Sequence, residues 1–143
     1  MSRALSDLHD KARPFFNDFL ARCMEAQLPV MIIYTGRTIA EQIALYAIGR
    51  TDGQPASKQV TWTLDSLHVM TAARGNKSLA IDVCPYEIYT LQPGDDKLQW
   101  DTANPVWARL GELGQLAGLK WGVVDSGGKR KDLGHFEYVG PLT

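Results

Sequence analysis

The chain has 143 residues, 45% of them hydrophobic, with 15 basic against 16 acidic side chains and a formal net charge of -1. That length and apolar content suit one domain with its own core and leave little room for a second. The balanced charge gives no electrostatic basis for binding nucleic acid or an anionic membrane, so a polymeric partner would have to be recognised locally.

From Ala4 to Glu25, Leu5, Leu8, Phe15, Phe16, Phe19, Leu20 and Met24 recur at near-helical intervals, which predicts helix, with Pro14 breaking or restarting it. The run "PVMIIY" (Pro29 to Tyr34) is short, apolar and β-rich, and reads as a buried strand. A "TGRT" turn follows, in which Thr38 is a candidate N-cap and Glu41, three residues on, completes a capping box for a helix to about Ile48. Gly49 to Thr61 reads as a loop, Val60 to Leu64 and Leu79 to Val83 as weak strands, and "TAARGNKS" between them as a surface excursion. "PGDD" (Pro93 to Asp96) marks a further loop. A helix is expected from about Pro105 to Leu116, ended by Gly118, then strands at Lys120 to Val124 and Phe136 to Val139 around the loop "DSGGKRKDLG". The expected fold is α+β: a mostly antiparallel central sheet with helices packed on it.

Cys23 and Cys84 have no spacing partner, so both are expected to be reduced core thiols. The N-terminus "MSRALSDLHDKARPFF" lacks the apolar stretch of a signal peptide, and no run approaches membrane-spanning length, so residence in the cytoplasm is expected unless something else releases the protein.

Of three histidines, His9, His68 and His135, the last two keep suggestive company. Asp82 closes the apolar run "LAIDV", where an unpaired acid would be costly to bury and a cation would remove the cost. His68, Asp82 and His135, from three separate strands, would make a three-ligand site of the kind that holds catalytic zinc. The competing reading is an Asp82 cap or salt bridge with two unrelated histidines. In "KDLGHFEY", Asp132 would lie in the turn before His135 and can serve as general base, with Glu137, on the His135 face of a strand, as its competitor. Arg37, presented by the "TGRT" turn, is the best-placed cation for a developing oxyanion, or else a solvated turn residue.

Four pieces in order, "YTGRTIAEQIALYAIGRT", "SLH", "LAIDV" and "GLKWG…KDLGHFEY", together resemble the LAS family of zinc peptidases, and within it the phage L-alanyl-D-glutamate endopeptidase (endolysin) branch, related to D-Ala-D-Ala carboxypeptidases and dipeptidases. The resemblance implies His68, Asp82 and His135 as zinc ligands, Asp132 as catalytic base, Arg37 as stabiliser of the scissile carbonyl oxygen, and Ser66 at the substrate-binding edge, where Glu137 is also placed. Two departures stand out. The link "VMTAARGNKSLAI" between His68 and Asp82 is longer than the family's, and Gly134 replaces its usual proline before the third ligand. The function so implied is a zinc-dependent endolysin, expected to be monomeric, without a separate cell-wall-binding domain, waiting in the host cytoplasm and then hydrolysing the L-Ala-D-Glu bond of peptidoglycan stem peptides in the periplasm for host lysis. The alternatives are a D-Ala-D-Ala carboxypeptidase or dipeptidase, and a catalytically inactive, zinc-stabilised binding module.

Overall fold

The computed structural model describes residues 1–51, 53–87 and 97–143; the loop expected at Pro93 to Asp96 lies outside them. After a 3-10 turn at Leu5–Asp7, the elements are α1 (Arg13–Glu25), β1 (Val30–Tyr34), α2 (Ile39–Ala47), β2 (Ala80–Pro85), α3 (Val106–Leu116), β3 (Lys120–Val124) and β4 (Arg130–Glu137). The four strands form one antiparallel sheet in the order β1-β2-β4-β3, so the fold is α+β as expected.

Pro14 falls in the first turn of α1, where its missing N–H has no helical partner to lose. Helix therefore starts at Arg13 and does not run on from Ala4. The Thr38 capping box is complete: Thr38 Oγ1 accepts from the Glu41 N–H at 3.1 Å, and the Glu41 carboxylate accepts from the Thr38 N–H at 2.8 Å. The end of α3 uses Gly118 at φ 90, a left-handed conformation that lets the N–H groups of Gly118 and Leu119 bond back to Gln115 and Gly114.

α1 packs on α3, and α3 packs on β2, β3 and β4. The core between them is built from Phe16, Phe19, Leu110, Ile81, Val83 and Phe136, with Cys23 and Cys84 buried as free thiols. Burial pushes the Cys23 thiol up to about 11. Gly114 and Gly111 on α3 leave room for the Phe136 and Trp121 rings to lie against the helix backbone. Among the described residues, no helix is long and apolar enough to cross a membrane.

Two of the expected strands need correction. Val60 to Leu64 is not a strand: two of its carbonyls are taken by side chains, Thr63 O accepting from Gln42 and Thr61 O from Arg50, in place of a ladder. The last strand starts at Arg130, six residues before the expected Phe136, because a bulge absorbs the glycine-rich and charged stretch. Trp121 pairs with Phe136 but Val123 with Lys131, which leaves Asp132 to His135 looped out of the β3 ladder. Asp132 therefore lies within β4, not in the turn before it.

Candidate metal centre

Strand alternation sorts β2 and β4 into two faces. Ile81 pairs with Phe136 on the core side, and the next pair, Asp82 opposite His135, points the other way. Directly opposed residues in an antiparallel ladder hold their Cβ atoms about 4.5–5.5 Å apart. Register alone thus brings a carboxylate and an imidazole together.

His68 comes from a turn and not from a strand, which corrects the expectation of three strands. The turn is fixed on several sides. His68 O accepts from the Arg37 N–H at 2.8 Å, Met70 N–H donates to Arg37 O at 2.8 Å, and the N–H of Leu79 donates to Leu67 O at 2.8 Å. Ser66 Oγ accepts from the His68 N–H at 3.2 Å, so this serine shapes the turn as well as lining the cleft. The long link to β2 takes part too: Arg74, on its 3-10 turn, donates to Ser66 O at 3.1 Å and Val69 O at 2.9 Å. Lengthening a loop costs little closure entropy, and here the added residues return to brace the ligand turn.

The three donor atoms converge. His68 Nε2 lies 3.0 Å from Asp82 Oδ1 and 3.0 Å from His135 Nδ1, and His135 Nδ1 lies 3.1 Å from Asp82 Oδ1. These three residues form a group that could hold a metal ion. His68 is buried, and its other nitrogen, Nδ1, has no hydrogen-bond partner among the described residues. Gathering two imidazole nitrogens and a carboxylate oxygen this closely in a largely buried spot is costly unless a cation sits among them. Two imidazoles and one carboxylate are the donor set of a catalytic zinc site, so the residues present fit that ion.

The surrounding charges are tightly coupled. Burial opposes ionisation of Asp82, yet hydrogen bonds from His135 and His68 outweigh it and hold the carboxyl well below its usual range. Burial likewise opposes a charged His135, but hydrogen bonds to Asp82 and Glu137 bring it up to about 9. Burial dominates at His68 and lowers it. Glu137 Oε1 lies 2.7 Å from His135 Nε2, and that bond, the largest influence on Glu137, keeps its carboxyl low. Because Nε2 is taken by Glu137, Nδ1 is the His135 nitrogen that faces Asp82 and His68 and the one that would ligate an ion.

Arg37 stands beside Asp82, Nη2 to Oδ2 3.7 Å, with its side chain 14% exposed. Its Nη1 donates to Gln42 Oε1 at 3.1 Å, and its guanidinium lies 5.7 Å from the centre of the Tyr34 ring. Arg37 is therefore no solvated turn residue. Asp132 is exposed on the same cleft in a left-handed backbone conformation, φ 52. Among the described residues, no hydrogen bond or ion pair engages its carboxylate. His9 lies outside the cleft, its Nδ1 accepting from the Lys11 N–H.

Gln42 is the residue that the sequence reading passed over. It is fully buried and bonds Arg37 with one end of its amide and Thr63 O, at 2.8 Å, with the other. Its signal in the sequence is faint: a polar residue five positions after Arg37 on a helix whose apolar Ile39 and Ile43 are exposed.

The fold matches that of the Serratia marcescens L-Ala D-Glu endopeptidase ChiX crystal structure with a TM-score of 0.58 at 17% sequence identity, over 93% of this chain and 81% of that one. No protein-family model matches the sequence. No curated protein matches it either.

Proposed function

We propose that this chain is a zinc-dependent peptidoglycan peptidase that hydrolyses the L-Ala-D-Glu bond of stem peptides. The observation that carries the reading is the convergence of His68, Asp82 and His135 beside Arg37 on one cleft. The likeness of the fold to an L-Ala D-Glu endopeptidase supports the choice of bond. The setting we propose is phage-mediated host lysis by a monomer of a single catalytic domain, held in the host cytoplasm and released to act in the periplasm.

His68, Asp82 and His135 would hold the zinc, with Glu137 fixing the His135 ring. Bound there, zinc supplies a Lewis acid that polarises the scissile carbonyl and acidifies water. Asp132 takes the proton of the attacking water and passes it to the leaving amine. Its free carboxylate and its sparsely populated backbone conformation support that role, since such strain collects at functional sites. Arg37, held by Gln42 and Asp82 with its side chain 14% exposed, meets the charge that grows on the carbonyl oxygen.

Two measurements on the same preparation test this. Elemental analysis should find about one zinc per chain, lost in His68→Ala and His135→Ala but kept in His9→Ala. Digestion of purified peptidoglycan, followed by mass spectrometry, should expose new D-Glu amino termini. Chain termini at D-Ala instead would replace the bond assignment with that of a carboxypeptidase or dipeptidase, and protein without stoichiometric zinc would remove the reading altogether.

A further inference from the structure

Two of the four tryptophans, Trp62 and Trp100, are 64% and 54% exposed, and both line the cleft that holds the candidate metal ligands. Single exposed apolar side chains are ordinary, but two indoles on one concave surface are not. Neither is a loose surface residue. On either side of Trp62, the buried Gln42 amide donates to Thr63 O at 2.8 Å, and Arg50 donates to Thr61 O at 2.9 Å. Trp100 is similarly placed: Gln99, which is buried, donates its N–H to Pro85 O at the end of β2, and its side chain accepts from the Asp101 N–H at 2.9 Å. The backbone is fixed on both sides while the ring is left in solvent, so the fold presents these indoles.

We infer that Trp62 and Trp100 form a carbohydrate-stacking rim that takes a sugar of a glycan-linked substrate. The chemistry around them selects this occupant. Thr61, Thr63, Asp65, Ser66 and Thr102 line the same cleft, which thus offers hydroxyl and carboxylate groups beside the flat aromatic faces. A saccharide ring offers a face of C–H bonds to stack on an indole and an edge of hydroxyls to bond with such neighbours. The competing occupant is a second copy of the chain, since exposed aromatics also gather at protein interfaces; the hydroxyl-bearing neighbours favour the sugar. The cleft, about 1060 Å³, is at the upper end for small-molecule sites, as a polymer would need. The identity of the glycan rests on the peptidase reading: in peptidoglycan the stem L-Ala is joined to a sugar through its lactyl group, so a cut after L-Ala brings that sugar to the cleft.

Two assays on the full chain decide the matter and separate this inference from the reading beneath it. One titrates the N-acetylglucosamine tetramer by tryptophan fluorescence and calorimetry, which requires no peptidase activity. The other compares kcat/KM for a stem peptide still linked to its sugar with that for the same peptide freed of it. Saturable binding of the tetramer is expected, weakened about tenfold in Trp62→Ala and Trp100→Ala and restored by tyrosine at either position. Met24→Ala, an 81% exposed residue on α1 away from the cleft, should bind as the parent does. The preference for the sugar-linked substrate should fall about tenfold in the same alanine variants. Tetramer binding that is absent, or indifferent to both alanine substitutions, overturns the rim. Alanine variants that break up a dimer without changing sugar binding overturn it in favour of self-association. If neither substrate is cleaved, the peptidase reading falls and the titration still decides the rim.

Discussion

Asp132 and Glu137 both bring a carboxylate to the cleft, and their surroundings divide the roles. Glu137 has Oε1 committed to His135 Nε2 at 2.7 Å and Oε2 near Lys120 at 3.9 Å, whereas Asp132 is exposed and unengaged among the described residues. Asp132→Asn should therefore keep zinc and melting temperature but lower turnover by about 100- to 10,000-fold, as removal of a general base does. Glu137→Gln should weaken zinc binding by about 10- to 100-fold, the usual effect of losing the carboxylate behind a ligating imidazole, and recover turnover when zinc is saturating. Titrating both variants with zinc while following activity checks the pair, and the opposite pattern would exchange the roles. Arg37→Ala should lower turnover about 100-fold or more with zinc content unchanged, and lysine should recover only part, lacking the planar fork. Normal turnover in Arg37→Ala would end its assignment as oxyanion stabiliser. All seven residues named from the sequence do border this cleft, because each carries a distinctive functional group near a readable turn or strand. Gln42 was not readable, since an amide's burial depends on chain that arrives from Thr61 and Thr63, about twenty residues away.

α1, β1, α2, β2, α3 and β3 follow from local signals: apolar period, the proline of a first turn, a capping box, a C-terminal glycine. The misreadings at Val60 to Leu64 and at β4 share a cause. Val60 to Leu64 has strand-like composition but gives the Thr63 and Thr61 carbonyls to Gln42 and Arg50, and β4 looks like a loop because its bulge is polar. In both, tertiary partners override local propensity. Gly134 shows why the bulge needs its sequence: a Cβ there would lie 2.3 Å from Val83 O, on the strand that carries Asp82. A proline there would face the same carbonyl, so glycine at this position accompanies the close approach of β4 to β2. Gly134→Ala should push the two strands apart beside the Asp82 and His135 pair, destabilising the fold by about 1–3 kcal/mol and weakening zinc binding. Thermal melts and zinc titration of this variant would show both effects together, and a variant with parental melting and affinity would mean that β4 can shift at no cost.

The candidate metal ligands and the hydrophobic core occupy opposite faces of the sheet, which separates what folds the chain from what an ion would add. Phe16, Phe19, Phe136, Leu110 and Ile81 are fully buried without any ligand residue among them, and side chains of that size contribute about 1.5–3 kcal/mol each on burial. Zinc, by contrast, would join a turn at His68, β2 at Asp82 and β4 at His135, segments already linked by the Leu67 to Leu79 and Leu79 to Tyr138 backbone bonds. The ion should thus stabilise a structure that exists without it, unlike the small domains that unfold when their metal is removed. A ligand bound only by the native state adds about 4 kcal/mol when present at a thousand times its dissociation constant. For a domain of this size, that corresponds to a melting temperature lowered on the order of 10 °C by a chelator, with the far-UV circular dichroism at room temperature unchanged. Readdition of zinc should restore the melting temperature, and His68→Ala should melt at the chelated value whether or not chelator is present. Loss of secondary structure on chelation would show that the core cannot stand alone, and a melting temperature indifferent to chelator would show that no ion joins these three segments.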